Sequence, residues 1–116
     1  TGVQTCALPI FDAIELHDAF SVCEPMALDS MGFTEPGDGI HMIKNAYETG
    51  DLRINPRGGL IGTGHPLGAT GIAQTIEIVQ QLQGKADKRQ IDNANTGLIH
   101  NMSAGATSST VLVLEK

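Results

Sequence analysis

Hydrophobic and polar positions change period several times along this chain, and each change marks an element. Residues 11–16 alternate in the manner of a strand, with Phe11, Ala13 and Glu15 on one face and Ile14 and Leu16 nearby. A helix follows through about Met31, with Val22, Pro25, Met26, Leu28 and Met31 as its apolar side. Ser21 or Asp18 is its expected cap and Gly32 its stop. After the turn-rich link Thr34 to Gly39, the residues Ile40, Ile43, Ala46 and Tyr47 recur at helical spacing until Gly50, and Leu52 to Asn55 reads as a short strand or extended segment.

From Pro66 or Leu67 to about Gln83 the pattern is that of an amphipathic helix. Leu67, Ile72, Ile76, Val79 and Leu82 form its apolar stripe, with Gln74, Glu77, Gln80, Gln81 and Gln83 largely opposite, so the stripe is expected to face the core. Gly84 to Arg89 is a polar connection, and Gln90 to His100 contains an extended apolar segment. Thr107 to Glu115 reads as a strand in which the run Val111, Leu112, Val113 and Leu114 predicts burial on both faces. Strands alternating with helices give an α/β class.

With 116 residues the chain holds one domain at most, and its longest apolar runs are strand-sized, too short to span a membrane. Thirteen acidic side chains against seven scattered basic ones give a net charge of −6 and no basic stripe, which argues against nucleic acid as a partner. The two cysteines, Cys6 and Cys23, lack disulfide-like spacing and are expected as free thiols of a reducing cytoplasm. Residues 1–10 carry no charge and no periodicity. They resemble the conceptual translation of a sequencing adapter, an artefact at the broken end of a gene fragment, and are expected to be disordered.

Candidate chemistry centres on residues 55–71. Six glycines between Gly58 and Gly71 imply a tightly folded loop packed against a neighbour. The spacing fits neither the dinucleotide fingerprint nor a P-loop. Within it, Pro66 fixes His65 in extended backbone at a helix entrance, where an imidazole can serve as a base. The string His17-Asp18-Ala19-Phe20 lies at the end of a strand, where α/β folds place functional loops. Asp18 is read as a cap for the next helix and Cys23 as a buried structural thiol. His17, Asp18, His65 and His100 have no metal-ligand spacing, and no metal is expected.

Three strings in this order resemble the C-terminal half of the thiolases, which condense or cleave acyl-CoA thioesters through an acyl-cysteine. They are His17-Asp18-Ala19-Phe20, the loop holding Gly64-His65-Pro66, and the glycine-containing turn near His100 to Gly105. The first, with His-Asp in place of the usual Asn-Glu, is similar to the archaeal and sterol-carrier-protein types. The third departs from the family's Cys-x-Gly and has Asn101 and Ser103 there.

The resemblance implies a thiolase-like fold, a mixed five-stranded sheet with helices on both faces, of which residues 11–116 supply an incomplete C-terminal half. It implies His65, His17, Asn101 and Ser103 as catalytic residues, with Phe20, Gly64, Pro66 and Gly105 at the substrate. The substrate is then a coenzyme A thioester with no further cofactor. The partners are the missing N-terminal half, which carries the nucleophilic cysteine, and further copies in a homodimer or tetramer. The alternative is a thiolase-like protein that hydrolyses or only binds acyl-CoA, or a noncatalytic partner in a larger assembly.

Overall fold

The computed structural model describes residues 10–51 and 53–116. Strand β1 (Ala13–Glu15) is followed by helices α1 (Cys23–Ser30), α2 (Gly39–Thr49), α3 (Gly59–Thr63) and α4 (Thr70–Gln83), then by strands β2 (Thr96–Met102) and β3 (Ser109–Glu115). Strand β1 lies parallel to β2, with Ala13 opposite Gly97, and β2 runs antiparallel to β3. The sheet is mixed, as the family pattern implies.

Helices cover both faces because side chains alternate across the strands. Ile14, Leu16 and Leu98 pack with Ala27, Leu28, Phe33 and Ile43 under α1 and α2, where Phe11 meets Phe33 edge to face. Ala13 and Ile99 pack with Ile78 and Leu82 of α4. Gly97 is required there, since a Cβ on it would stand 2.4 Å from Ile78 Cγ2.

Several expectations are corrected. Among the described residues the sheet has three strands and not five. The segment expected as a strand before Asn55 makes a single bridge, Ile54 to Ile14. Asn55, at φ +48°, turns the chain out of extended backbone there. Its side-chain Oδ1 continues the ladder instead, accepting the Leu16 N–H at 2.7 Å.

The glycine loop contains a helix, α3, that periodicity did not reveal. Asp18 does cap a helix, but the distant one: its Oδ1 accepts the Leu60 N–H at 2.6 Å, while α1 has no side-chain cap. Gly32 and Gly50 end their helices in left-handed backbone as expected. On α2, Ile43 is buried whereas Ile40 and Tyr47 are exposed.

The largest correction concerns α4, which is turned over relative to its amphipathic pattern. Leu67, Ile72 and Ile76 are exposed, and Thr70, Gln74, Glu77 and Gln81 are buried beside Ile78 and Leu82. The polar residues tolerate burial because each finds a partner. Gln74 Nε2 donates to the His100 carbonyl, Glu77 pairs with Arg89 at 2.9 Å, and Gln81 bridges the Arg89 carbonyl and the Ile91 N–H. Strand β3 is likewise an edge strand with Val111, Leu112 and Val113 exposed, not one buried on both faces. Leu112 and the α4 stripe form one apolar surface, with a groove between Ile72, Ile76 and Leu112, while Val111 and Val113 lie on the other face of β3.

Of residues 1–10, only Ile10 is described; its carbonyl accepts a bond from Thr96 Oγ1 at 2.7 Å. The expected disorder of residues 1–9, and the state of Cys6, lie outside the described residues. Among the described residues no helix is long and apolar enough to cross a membrane.

Candidate active site

Strand β1 delivers His17 to the end of the sheet. Asp18 follows it and fastens α3, so that the next turn of chain brings His65 against it. The two glycines at the start of α3 make this approach possible. Gly58 and Gly59 both have positive φ, and a Cβ on Gly59 would lie 2.1 Å from Asp18 Oδ2. The result is an edge-to-face pair of imidazoles, with ring centroids 4.9 Å apart and planes at 89°.

The environments of the two rings differ. His17 is buried and, among the described residues, its Nδ1 has no hydrogen-bond partner. Burial, reinforced by the neighbouring His65 and His100 rings, pushes its pKa below the ordinary histidine value against a smaller opposing pull from Asp18. A lowered pKa leaves His17 neutral at pH 7. His65 is exposed, and its Nδ1 lies 2.7 Å from Thr70 Oγ1.

Both rings line a cavity of about 690 Å³ together with Phe20, Asn101, Ser103 and Gly105. Six of the eight residues expected at the site therefore share one cavity. Gly64 and Pro66 are exposed and do not line it. Gly64, at φ +91°, ends α3, and the Pro66 carbonyl accepts the N–H groups of Ala69 and Thr70. Phe20 is 72% exposed and stands at the rim.

The turn after β2 engages Ser103 within itself. The Ser103 N–H donates to the Ser108 carbonyl at 3.0 Å, and its hydroxyl accepts the Ser108 N–H. The N–H groups of Ala104 and Gly105, on the cavity wall, carry no hydrogen bond among the described residues. Asn101 is held by Nδ2 donating to Gln74 Oε1 at 2.8 Å.

Cys23 is not the buried structural thiol that its place in a helix suggested. It is half-buried at the first residue of α1 and lines the cavity as a free thiol. Sequence reasoning also missed Thr70 and Gln74. With Glu77 and Gln81 they form a polar stripe at intervals of four, three and four residues, as regular as the apolar stripe on which attention fell. His100 turns to β3, its Nε2 2.8 Å from Ser109 Oγ, and burial lowers its pKa. Among the described residues no cluster of three or more His, Cys, Asp or Glu could hold a metal.

Beneath the site, Glu15 is fully buried, and among the described residues neither carboxyl oxygen makes a well-formed hydrogen bond. Burial pushes its pKa up to about 7, against the charge of Arg57; burial raises Glu24 to about 7 as well. A carboxyl raised in the folded state holds a proton that the unfolded chain releases near pH 4.5, so folding stability falls as pH rises from there to about 7. Glu15→Gln is expected to flatten that fall and raise stability at pH 7.5 by about 1–3 kcal/mol. Urea titrations of both forms at pH 5 and pH 7.5 check this, and an unchanged difference between the two pH values would refute it.

The paired histidines at the sheet end, over a cavity bounded by the turn after β2, coincide with a match of residues 8–116 to the family model "Thiolase C-terminal domain-like". The chain belongs to the thiolase C-terminal domain family. It is 45% identical over 104 residues to acetyl-CoA acetyltransferase of Methanothermobacter thermautotrophicus, covering 88% of this chain and 27% of that protein. It is 46% identical over 96 residues to human sterol carrier protein 2, covering 81% and 18%. Benzoylsuccinyl-CoA thiolase subunit BbsB of Thauera aromatica is 35% identical over 81 residues, covering 68% and 21%. The chain spans about a quarter or less of the length of these curated relatives.

Proposed function

We propose that the complete protein is an acyl-CoA C-acyltransferase, and that this chain is part of its C-terminal catalytic half. The reading rests on the juxtaposition of His17 and His65 over a cavity shared with Asn101 and Gly105. In it, His65 Nε2 takes the proton of a cysteine supplied by the other half, the thiolate attacks a thioester carbonyl, and the C–S bond to CoA breaks, CoA leaving as a thiolate that is protonated by solvent. His65, now carrying that proton on Nε2, and the neutral His17 then hold the thioester oxygen of a second acyl-CoA while its α-proton passes to a base of the other half. The enolate attacks the acyl-cysteine, whose sulfur leaves and retakes the proton from His65. A buried ring nitrogen without a partner, as in His17, is suited to this, because a substrate bond there replaces no internal one. Asn101 and the free N–H groups of Ala104 and Gly105 serve the second oxygen, with Ser103 shaping the turn that presents them. The enzyme uses coenzyme A thioesters as substrate without a further cofactor and works in the cytoplasm as a homodimer or tetramer. The other half covers the apolar surface of α4 and β3.

One observation favours a second reading. Asn101 stands where the family pattern has a cysteine, and at Ser103, in the place of that pattern's glycine, both the N–H and the hydroxyl are engaged within the turn. A protein lacking that second thiol could release CoA without condensing two acyl groups, or act as a noncatalytic partner. Incubating the full-length protein with acetyl-CoA and measuring acetoacetyl-CoA against free CoA separates these. Condensation product in proportion to CoA supports the acyltransferase. CoA without condensation product supports the hydrolase, and neither supports the noncatalytic partner.

A further inference from the structure

Thr70 opens α4 and is 1% exposed, yet it reaches one of the two reacting rings. Its Oγ1 lies 2.7 Å from His65 Nδ1 and 3.1 Å from the Pro66 carbonyl oxygen. A hydroxyl has one proton and two lone pairs, whereas a carbonyl oxygen can only accept. The Thr70 proton therefore goes to Pro66, and a lone pair of Oγ1 faces the ring. A lone pair on Nδ1 as well would set two acceptors 2.7 Å apart, so Nδ1 carries the hydrogen. In the neutral ring the other nitrogen, Nε2, is then the one able to accept a proton.

We infer that Thr70 is a positioning residue that fixes His65 in the Nδ1–H tautomer and keeps Nε2 available as the base. Its own placement is rigid. A β-branched side chain in a helix has few rotamers, and the bond to the carbonyl four residues back selects one. One turn further along the same buried stripe, Gln74 holds Asn101 in the same manner. Helix α4 thus aims two of the expected site residues from behind, which gives a reason for its polar side to face the sheet.

The assignment of a base rests on the acyltransferase reading, but the tautomer does not, and the two can be measured separately. The full-length protein is labelled with nitrogen-15 histidine, and the His65 signals are assigned by difference against His65→Gln. At a pH where the ring is neutral, the wild type is expected to show a protonated Nδ1 and a bare Nε2. Thr70→Ser should keep that signature. Thr70→Val, of the same shape but without a hydroxyl, should lose it. In the acyltransfer assay Thr70→Val should lower kcat about tenfold to a hundredfold with KM little changed, and Thr70→Ser should restore most of it. Complete locking in the wrong tautomer costs a catalytic histidine about 10⁴-fold, and loss of the lock alone should cost less. A wild-type proton on Nε2, or an unchanged signature in Thr70→Val, overturns the inference whatever the activity. The expected signatures in a protein without acyltransferase activity would support the inference and defeat the functional reading.

Discussion

His65→Ala in the full-length protein is expected to reduce acylation of the catalytic cysteine by at least about a thousandfold. The substitution removes a base that generates the nucleophile and a donor to the thioester oxygen, two roles of one ring. Rapid quenching with acetyl-CoA and mass measurement of the acyl-enzyme gives the rate directly. His65 is exposed and packs its ring edge to face against His17, so its loss should leave the melting temperature within a few degrees. A rate near that of the wild type would remove His65 from the mechanism. A large fall in melting temperature would mean that the ring serves the fold.

The second large effect is expected at Gly59. Alanine there needs left-handed backbone at φ +63°, which costs about 1–2 kcal/mol, and its Cβ would stand 2.1 Å from Asp18 Oδ2. Relief of that clash displaces the carboxylate from the Leu60 N–H, a charged hydrogen bond contributing about 1.5–3 kcal/mol. Gly59→Ala should therefore lower stability by about 3–5 kcal/mol, enough to unfold many proteins of this size. Gly62 is the internal control. It lies in the same short helix with nothing within 4 Å of a Cβ, and Gly62→Ala should be neutral or gain up to about 1 kcal/mol. Denaturant melts of the two variants side by side make the comparison. Equal behaviour would mean that Asp18 does not hold the glycine loop against the strand.

Much of this site was legible in the sequence. Pro66 beside His65 and a histidine at a strand end are local signals, and six of the eight expected residues do line one cavity. The short helix α3 was hidden because Gly58, Gly59, Gly62 and Gly64 read as loop residues, while its cap, Asp18, lies more than forty positions away. The C-terminal end of α4 followed from its period, but its start, at Thr70 and not at Pro66 or Leu67, and its orientation did not. A hydrophobic stripe is assumed to face the local core, and that assumption fails where polar side chains are fully bonded on the inner side, as Gln74, Glu77 and Gln81 are. The same limit applies to β3, whose apolar run says that both faces suit burial and not what covers them.

The parallel pairing of β1 with β2 also orders events on the ribosome. Asp12 Oδ2 accepts the N–H groups of Asn95 and Thr96, some 84 residues later, and, apart from the bridge from Ile14 to Ile54, Ala13 to Glu15 find their partners in Gly97 to Ile99. At about 5–20 residues per second, the nascent Ile14 and Leu16 wait on the order of ten seconds for their neighbouring strand. During that interval a holdase has an apolar segment to grip, and slow decoding between residues 16 and 96 would lengthen the exposure. Helices α1, α2 and α4 are all synthesised before the sheet they cover exists.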